Sequence, residues 1–135
     1  APFSYIIGKI SRDEYIEKYC EEYPVTQYGN KHLPDNAKIL SLFIGKRQYY
    51  SDREMFFYPN LFRTIIRHAD SPKEIASVLN YNGITHFLIR YDLFTTWSDD
   101  NFDDTEKERL RIFIKEHLNL SFNKGRYGLF SLENR

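Results

Sequence analysis

Apolar residues in this chain follow two rhythms, a helical period and short near-continuous runs, and the order in which they alternate predicts the architecture. Ser11 followed by Glu14 makes a capping-box pattern, after which Tyr15, Ile16, Tyr19, Cys20 and Tyr23 recur at helical spacing, predicting a helix over about Arg12 to Glu22. Pro24 then opens a second helical stretch in which Val25, Tyr28, Gly29, His32 and Leu33 share a face, ending before Pro34. Lys38 to Ile44 is an almost unbroken apolar run of strand length, as a strand covered on both faces requires. The polar loop Gly45 to Asp52 leads to a second strand over Arg53 to Tyr58, closed by Pro59-Asn60, with a short helix around Leu61 to Arg67.

Ser71-Pro72 with Glu74 predicts an N-cap, a proline in the first turn and a capping acid for a helix whose buried stripe is Ile75, Val78 and Leu79. Asn82-Gly83 ends it, and Ile84 to Arg90 follows as another buried strand. Asp92 to Asp100, carrying Trp97, reads as a loop. Asp103, Asp104 and Thr105 can cap a helix over about Thr105 to Leu118, with Leu110, Phe113, Ile114, His117 and Leu118 on one side. Asn119 to Leu132 reads as a hairpin about an Asn123-Lys124-Gly125 turn. Together these elements predict one α/β domain over residues 1–135: a Rossmann-like sandwich with a mixed sheet of about five strands, helices on both faces and a C-terminal antiparallel hairpin.

Composition narrows the function classes. The chain has 135 residues, with 19 Lys+Arg balancing 19 Asp+Glu. Zero net charge without a basic block argues against a nucleic-acid partner. One cysteine, Cys20, excludes an intramolecular disulfide and a thiolate metal cluster. The longest apolar run falls far short of the roughly 20 residues that cross a bilayer. The start, Ala-Pro-Phe without an initiator Met, reads as a piece excised from a longer protein. The compositional oddity is an aromatic content of 17%.

Several patterns suggest chemistry and have a simpler explanation. Gly45-Lys46-Arg47-Gln48 follows a buried strand but offers one glycine where a phosphate cradle needs several. Asp99 to Asp104 opens like a calcium loop, yet Asp104 stands at the glycine position and Leu110 at the bidentate glutamate position, so helix capping explains the acids. His32, His68, His86 and His117 have no ligand spacing, and Cys20 falls in a buried stripe. No catalytic group, metal site or cofactor is expected. The candidate contact surface is Tyr49, Tyr50, Asp52 and Arg53, in the loop leaving the first buried strand. Loops at strand carboxyl ends line the ligand crevice of open α/β sheets, and this loop offers flat rings beside a carboxylate and a guanidinium. Alternatively, the tyrosines cover a sheet edge and Asp52 pairs with Arg53.

The ordered series Gly8 to Tyr19 (GKISRDEYIEKY), Tyr28 with Leu33-Pro34, Ala37 to Leu40, Tyr49 to Arg53 and Arg126 to Leu132 (RYGLFSL) resembles the C-terminal soluble domain of bacterial multi-pass membrane glycosyltransferases of the GT-C type, similar to the dolichyl-phosphate-mannose-protein mannosyltransferase family. The resemblance implies a parent enzyme with a polyprenyl-phosphate-linked sugar donor, working on the extracytoplasmic (periplasmic) face of the cytoplasmic membrane. It implies that this fragment is not itself catalytic, because the family's acids lie in a loop of the membrane part. Its partners are then the membrane-embedded part of the same chain and a glycan or lipid-linked acceptor. The alternative is a stand-alone α/β module binding a nucleotide or a partner protein.

Overall fold

The computed structural model describes residues 28–42, 54–56 and 59–133. The helix expected over 12–22 and the Tyr49 to Arg53 loop lie outside them. A short helix α1 (28–32) precedes strand β1 (Lys38–Leu42), followed by β2 (Glu54–Phe56), α2 (Pro59–His68), α3 (Pro72–Tyr81), β3 (His86–Arg90), α4 (Tyr91–Asn101), α5 (Asp104–His117), β4 (Leu118–Lys124) and β5 (Tyr127–Leu132). The five strands form one open sheet in the order β2-β1-β3-β5-β4. β1 runs parallel to β2 and β3, whereas β5 is antiparallel to both β3 and β4.

The strands alternate their side chains between two cores. Leu40, Leu42, Phe87, Ile89 and Phe130 join the buried stripes of α2 to α5, among them Phe62, Ile66, Ile75, Leu79, Phe94, Leu110 and Phe113. Ile39, Leu88, Tyr127 and Leu129 face the other way and pack with Leu33, Ala37, Tyr28 and Phe122. α1 approaches closely enough there that a Cβ on Gly29 would stand 3.9 Å from Leu129. Helices thus cover both faces, four on one side and α1 on the other among the described residues. The Rossmann-like expectation is only roughly met: three parallel strands are extended by an antiparallel pair.

Local sequence explains most element ends. Ser71 accepts from the Glu74 N–H at 3.1 Å with Pro72 at the first helical position, and Gly83, with φ +82, turns the chain beyond Asn82. Asp103 and Glu106 form a reciprocal capping box at 2.8 and 2.9 Å. The hairpin turn lies at Gly125-Arg126, one step later than expected, because Gly125 adopts φ +61 and Asn123 and Lys124 remain in β4.

The stretch read as a loop, Asp92 to Asp100, is instead helix α4. No side chain caps its start, and Phe94 and Ser98 face the core together with Tyr91. Its last turn is held from α2: Arg63 donates to Asn101 Oδ1 at 3.1 Å and Arg67 to the Asn101 carbonyl at 2.7 Å. Packing and these distant arginines supply what local propensity does not. No residue separates β3 from α4, or α5 from β4.

Where β3 enters α4, the ring of Tyr91 lies under β5. A Cβ at Gly128 would fall 1.9 Å from the Tyr91 hydroxyl, so the backbone of β5 approaches as only glycine allows. Gly128→Ala is expected to destabilise the domain by about 1–3 kcal/mol, as overpacked sites do. Urea unfolding measures it; an unchanged midpoint would show that β5 does not depend on this contact.

Candidate functional site

The sheet has one point at which its connections diverge. The chain leaves the carboxyl end of β1 for β2 on one side, while β3 lies on the other side. In open α/β sheets such a switch point, at the carboxyl ends of adjacent parallel strands, is where ligands bind. Here β3 ends in Arg90 and continues without a break into Tyr91 and Asp92, and the β4–β5 turn meets the same end because Tyr127 pairs with Arg90.

A compact ionic cluster results. Arg90 donates from Nε and Nη2 to the two oxygens of Asp92, at 2.9 and 3.2 Å, in a fork-to-fork pair. Arg126, from the hairpin turn, donates Nη1 to Asp92 Oδ2 at 2.9 Å. The Tyr91 backbone N–H donates to the Arg126 carbonyl at 2.8 Å, fixing the turn against the start of α4. The Arg90 guanidinium carbon stands 6.0 Å from the centre of the Tyr127 ring. Partial burial works to raise the Asp92 pKa, but hydrogen bonding and charge from Arg90, the Leu93 N–H and Arg126 outweigh it and hold the carboxyl below its ordinary value. The bond to Asp92 raises the Arg90 pKa in turn.

Tyr49, Tyr50, Asp52 and Arg53, the contact surface expected from sequence, fall outside the described residues, as do Gly45 to Gln48 and Cys20. The acids of 99–104 serve structure: Asp103 caps α5 and Asp99 pairs with Lys107 at 3.3 Å. Among the described residues no group of three His, Cys, Asp or Glu side chains could hold a metal ion. His32, expected on an apolar helix face, is exposed and lies against Tyr28 with ring centres 4.2 Å apart. His68 is exposed too, with Nδ1 3.1 Å from the Thr64 carbonyl. His117 is buried against Phe113 and lies 3.2 Å from the Glu133 carbonyl.

His86 is the first residue of β3 rather than its middle. Its Nδ1 lies 2.7 Å from Thr85 Oγ1, which also accepts from the Lys38 N–H at 3.0 Å. Burial lowers the His86 pKa. A shallow hollow of about 520 Å³ between α3 and α5 mixes Lys73 with Glu116 and concentrates no charge.

These groups determine how stability varies with pH. His86, whose pKa burial lowers in the folded state, contributes stability that is fully present above its unfolded pKa of about 6.5 and is lost as pH falls towards the folded value. Asp92 contributes above its unfolded pKa and loses its contribution as pH falls through the depressed folded value. Two outcomes are expected in denaturant titrations. His86→Gln flattens the pH dependence as pH falls below about 6.5, and a wild-type slope retained in the variant refutes the assignment. Asp92→Asn costs about 1 kcal/mol near neutrality, a difference that vanishes in strong acid.

The fold and site define an open mixed α/β domain with an ionic cluster at its switch point. No protein-family model and no curated protein sequence matches the chain. Among solved structures, the fold matches the crystal structure of the C-terminal globular domain of an oligosaccharyltransferase from Archaeoglobus fulgidus, with a TM-score of 0.54. The match covers 86% of this chain and 100% of that chain at 14% identity, so what the two share is the fold. No helix of the described residues is long and apolar enough to cross a membrane.

Proposed function

We propose that this chain is a non-catalytic, extracytoplasmic domain of a membrane glycosyltransferase that uses a polyprenyl-phosphate-linked sugar. It sits over the membrane-embedded active site, where it assists acceptor access or stabilises the outer face. The observation that carries this reading is the fold shared with the entire C-terminal globular domain of an oligosaccharyltransferase. The ordered sequence motifs that resemble GT-C enzymes support it independently. The contact surface is the carboxyl end of the sheet, where the Arg90, Asp92 and Arg126 cluster stands and from which the chain departs β1 towards Tyr49, Tyr50, Asp52 and Arg53.

The test uses the full-length protein in membranes beside the isolated chain of 135 residues. Sugar transfer from a polyprenyl-phosphate donor is expected only from the full-length protein. Replacing Tyr49, Tyr50 and Asp52 together by Ala lowers that transfer about tenfold, while folding of the domain is retained. Transfer by the isolated chain overturns the reading. So does a gene without membrane-spanning segments ahead of Ala1. Saturable thermal stabilisation by a nucleotide, with none by glycans or lipid phosphates, points instead to a stand-alone nucleotide-binding module.

A further inference from the structure

The chain contains a single Asn-Gly step, Asn82-Gly83, and it falls where α3 hands over to β3. Such a step is open to attack from within the chain, because no side chain on the glycine shields its amide nitrogen. The Gly83 nitrogen attacks Asn82 Cγ, so that an N–Cγ bond forms, the Cγ–Nδ2 bond breaks, and ammonia leaves with the proton that the Gly83 nitrogen gives up. A five-membered cyclic imide remains. Water then opens it at either carbonyl, leaving an aspartyl residue or an isoaspartyl residue whose main chain is longer by one carbon. No cofactor or enzyme is needed.

The folded geometry holds this reaction off. Asn82 has a ψ of 5°, which turns the Gly83 nitrogen away from the Asn82 side chain. The Gly83 N–H donates to the Asn80 carbonyl at 2.9 Å, and Asn82 Nδ2 donates to the Val78 carbonyl at 2.8 Å. Attacker and target are each tied to the helix rather than to one another. The restraint is local, however, since Tyr81 is 90% exposed and Asn82 is exposed, with buried anchors only at Leu79 and Ile84 to either side. Helix ends of this kind open at well below the cost of global unfolding.

We infer that Asn82-Gly83 is a site of spontaneous covalent modification, gated by opening of the last turn of α3. Each event is a permanent change at the entrance to β3, the strand bonded along both edges. The isoaspartyl product displaces the Gly83 and Ile84 N–H groups from the Asn80 and Leu79 carbonyls that now hold them. The aspartyl product keeps the backbone, loses the side-chain bond to Val78 and sets a negative charge at the negative end of the helix.

The chain of 135 residues is held at mildly alkaline pH, folded in buffer and unfolded in guanidinium chloride, and the tryptic peptide Glu74–Arg90 is followed by chromatography and mass spectrometry. Modification is expected to be at least about tenfold faster in the unfolded chain. Local gating also predicts a folded-state rate that hardly changes in low denaturant, because opening one helical turn exposes little surface. Asn82→Gln abolishes modification of the peptide and Asn80→Gln leaves it in place. Chain enriched in the isoaspartyl product unfolds at a lower denaturant midpoint than Asn82→Asp does. Equal rates in the folded and unfolded chain overturn the inference, as does modification that persists in Asn82→Gln. A folded-state rate that climbs with denaturant as steeply as global unfolding overturns the local gate.

Discussion

Everything else in this domain is arranged around the burial of β3. Phe87, Leu88 and Ile89 are essentially inaccessible, so this strand has no face towards water, and both of its edges are bonded, one to parallel β1 and one to antiparallel β5. A strand in that position must be covered twice. α2 to α5 supply one cover through Phe62, Phe94 and Phe113, and α1 with the Tyr28 and Leu33 contacts supplies the other. Truncating any of the three buried side chains to Ala leaves a cavity worth about 2–5 kcal/mol, a large share of the margin of a domain this size. The same strand carries the ionic cluster on its last residue, so the core and the candidate site are fixed by one element.

The parts of the fold legible in the sequence are those specified by neighbours in the chain. α3 announces itself through Ser71, Pro72 and Glu74, and α5 through Asp103 with Glu106 and a stripe from Leu110 to His117. β1 and β3 stand out as apolar runs, because doubly covered strands cannot alternate. α4 was not legible, since Asp92, Thr95, Thr96 and Ser98 resemble loop residues and its last turn is held by Arg63 and Arg67 from another helix. Strand direction was legible only where a tight turn dictates it, as at Gly125.

The candidate site divides along the same line. A loop such as Tyr49 to Arg53 can be singled out because its aromatic and charged residues are contiguous. In the cluster, Arg126 reaches the neighbouring pair Arg90 and Asp92 from more than 30 residues away, and only the register of β3 against β5 brings it there. No local pattern marks it. Arg90 looks like the polar end of a strand and Arg126 like a turn residue. The histidines illustrate the converse: helical spacing puts His32 on an apolar face, but α1 turns it outward while His86 and His117 are buried.

The junctions at Arg90-Tyr91 and His117-Leu118 contain no connecting residues at all. At each junction helix and strand follow one another directly, and adding or removing one residue there would rotate the helix by about 100° against the sheet. Its buried stripe would then point towards water. Change in chain length within this fold is confined to places with slack, such as the turn between α3 and β3 or the tip of the hairpin. At these two junctions no linker residue is present to act as a hinge between strand and helix.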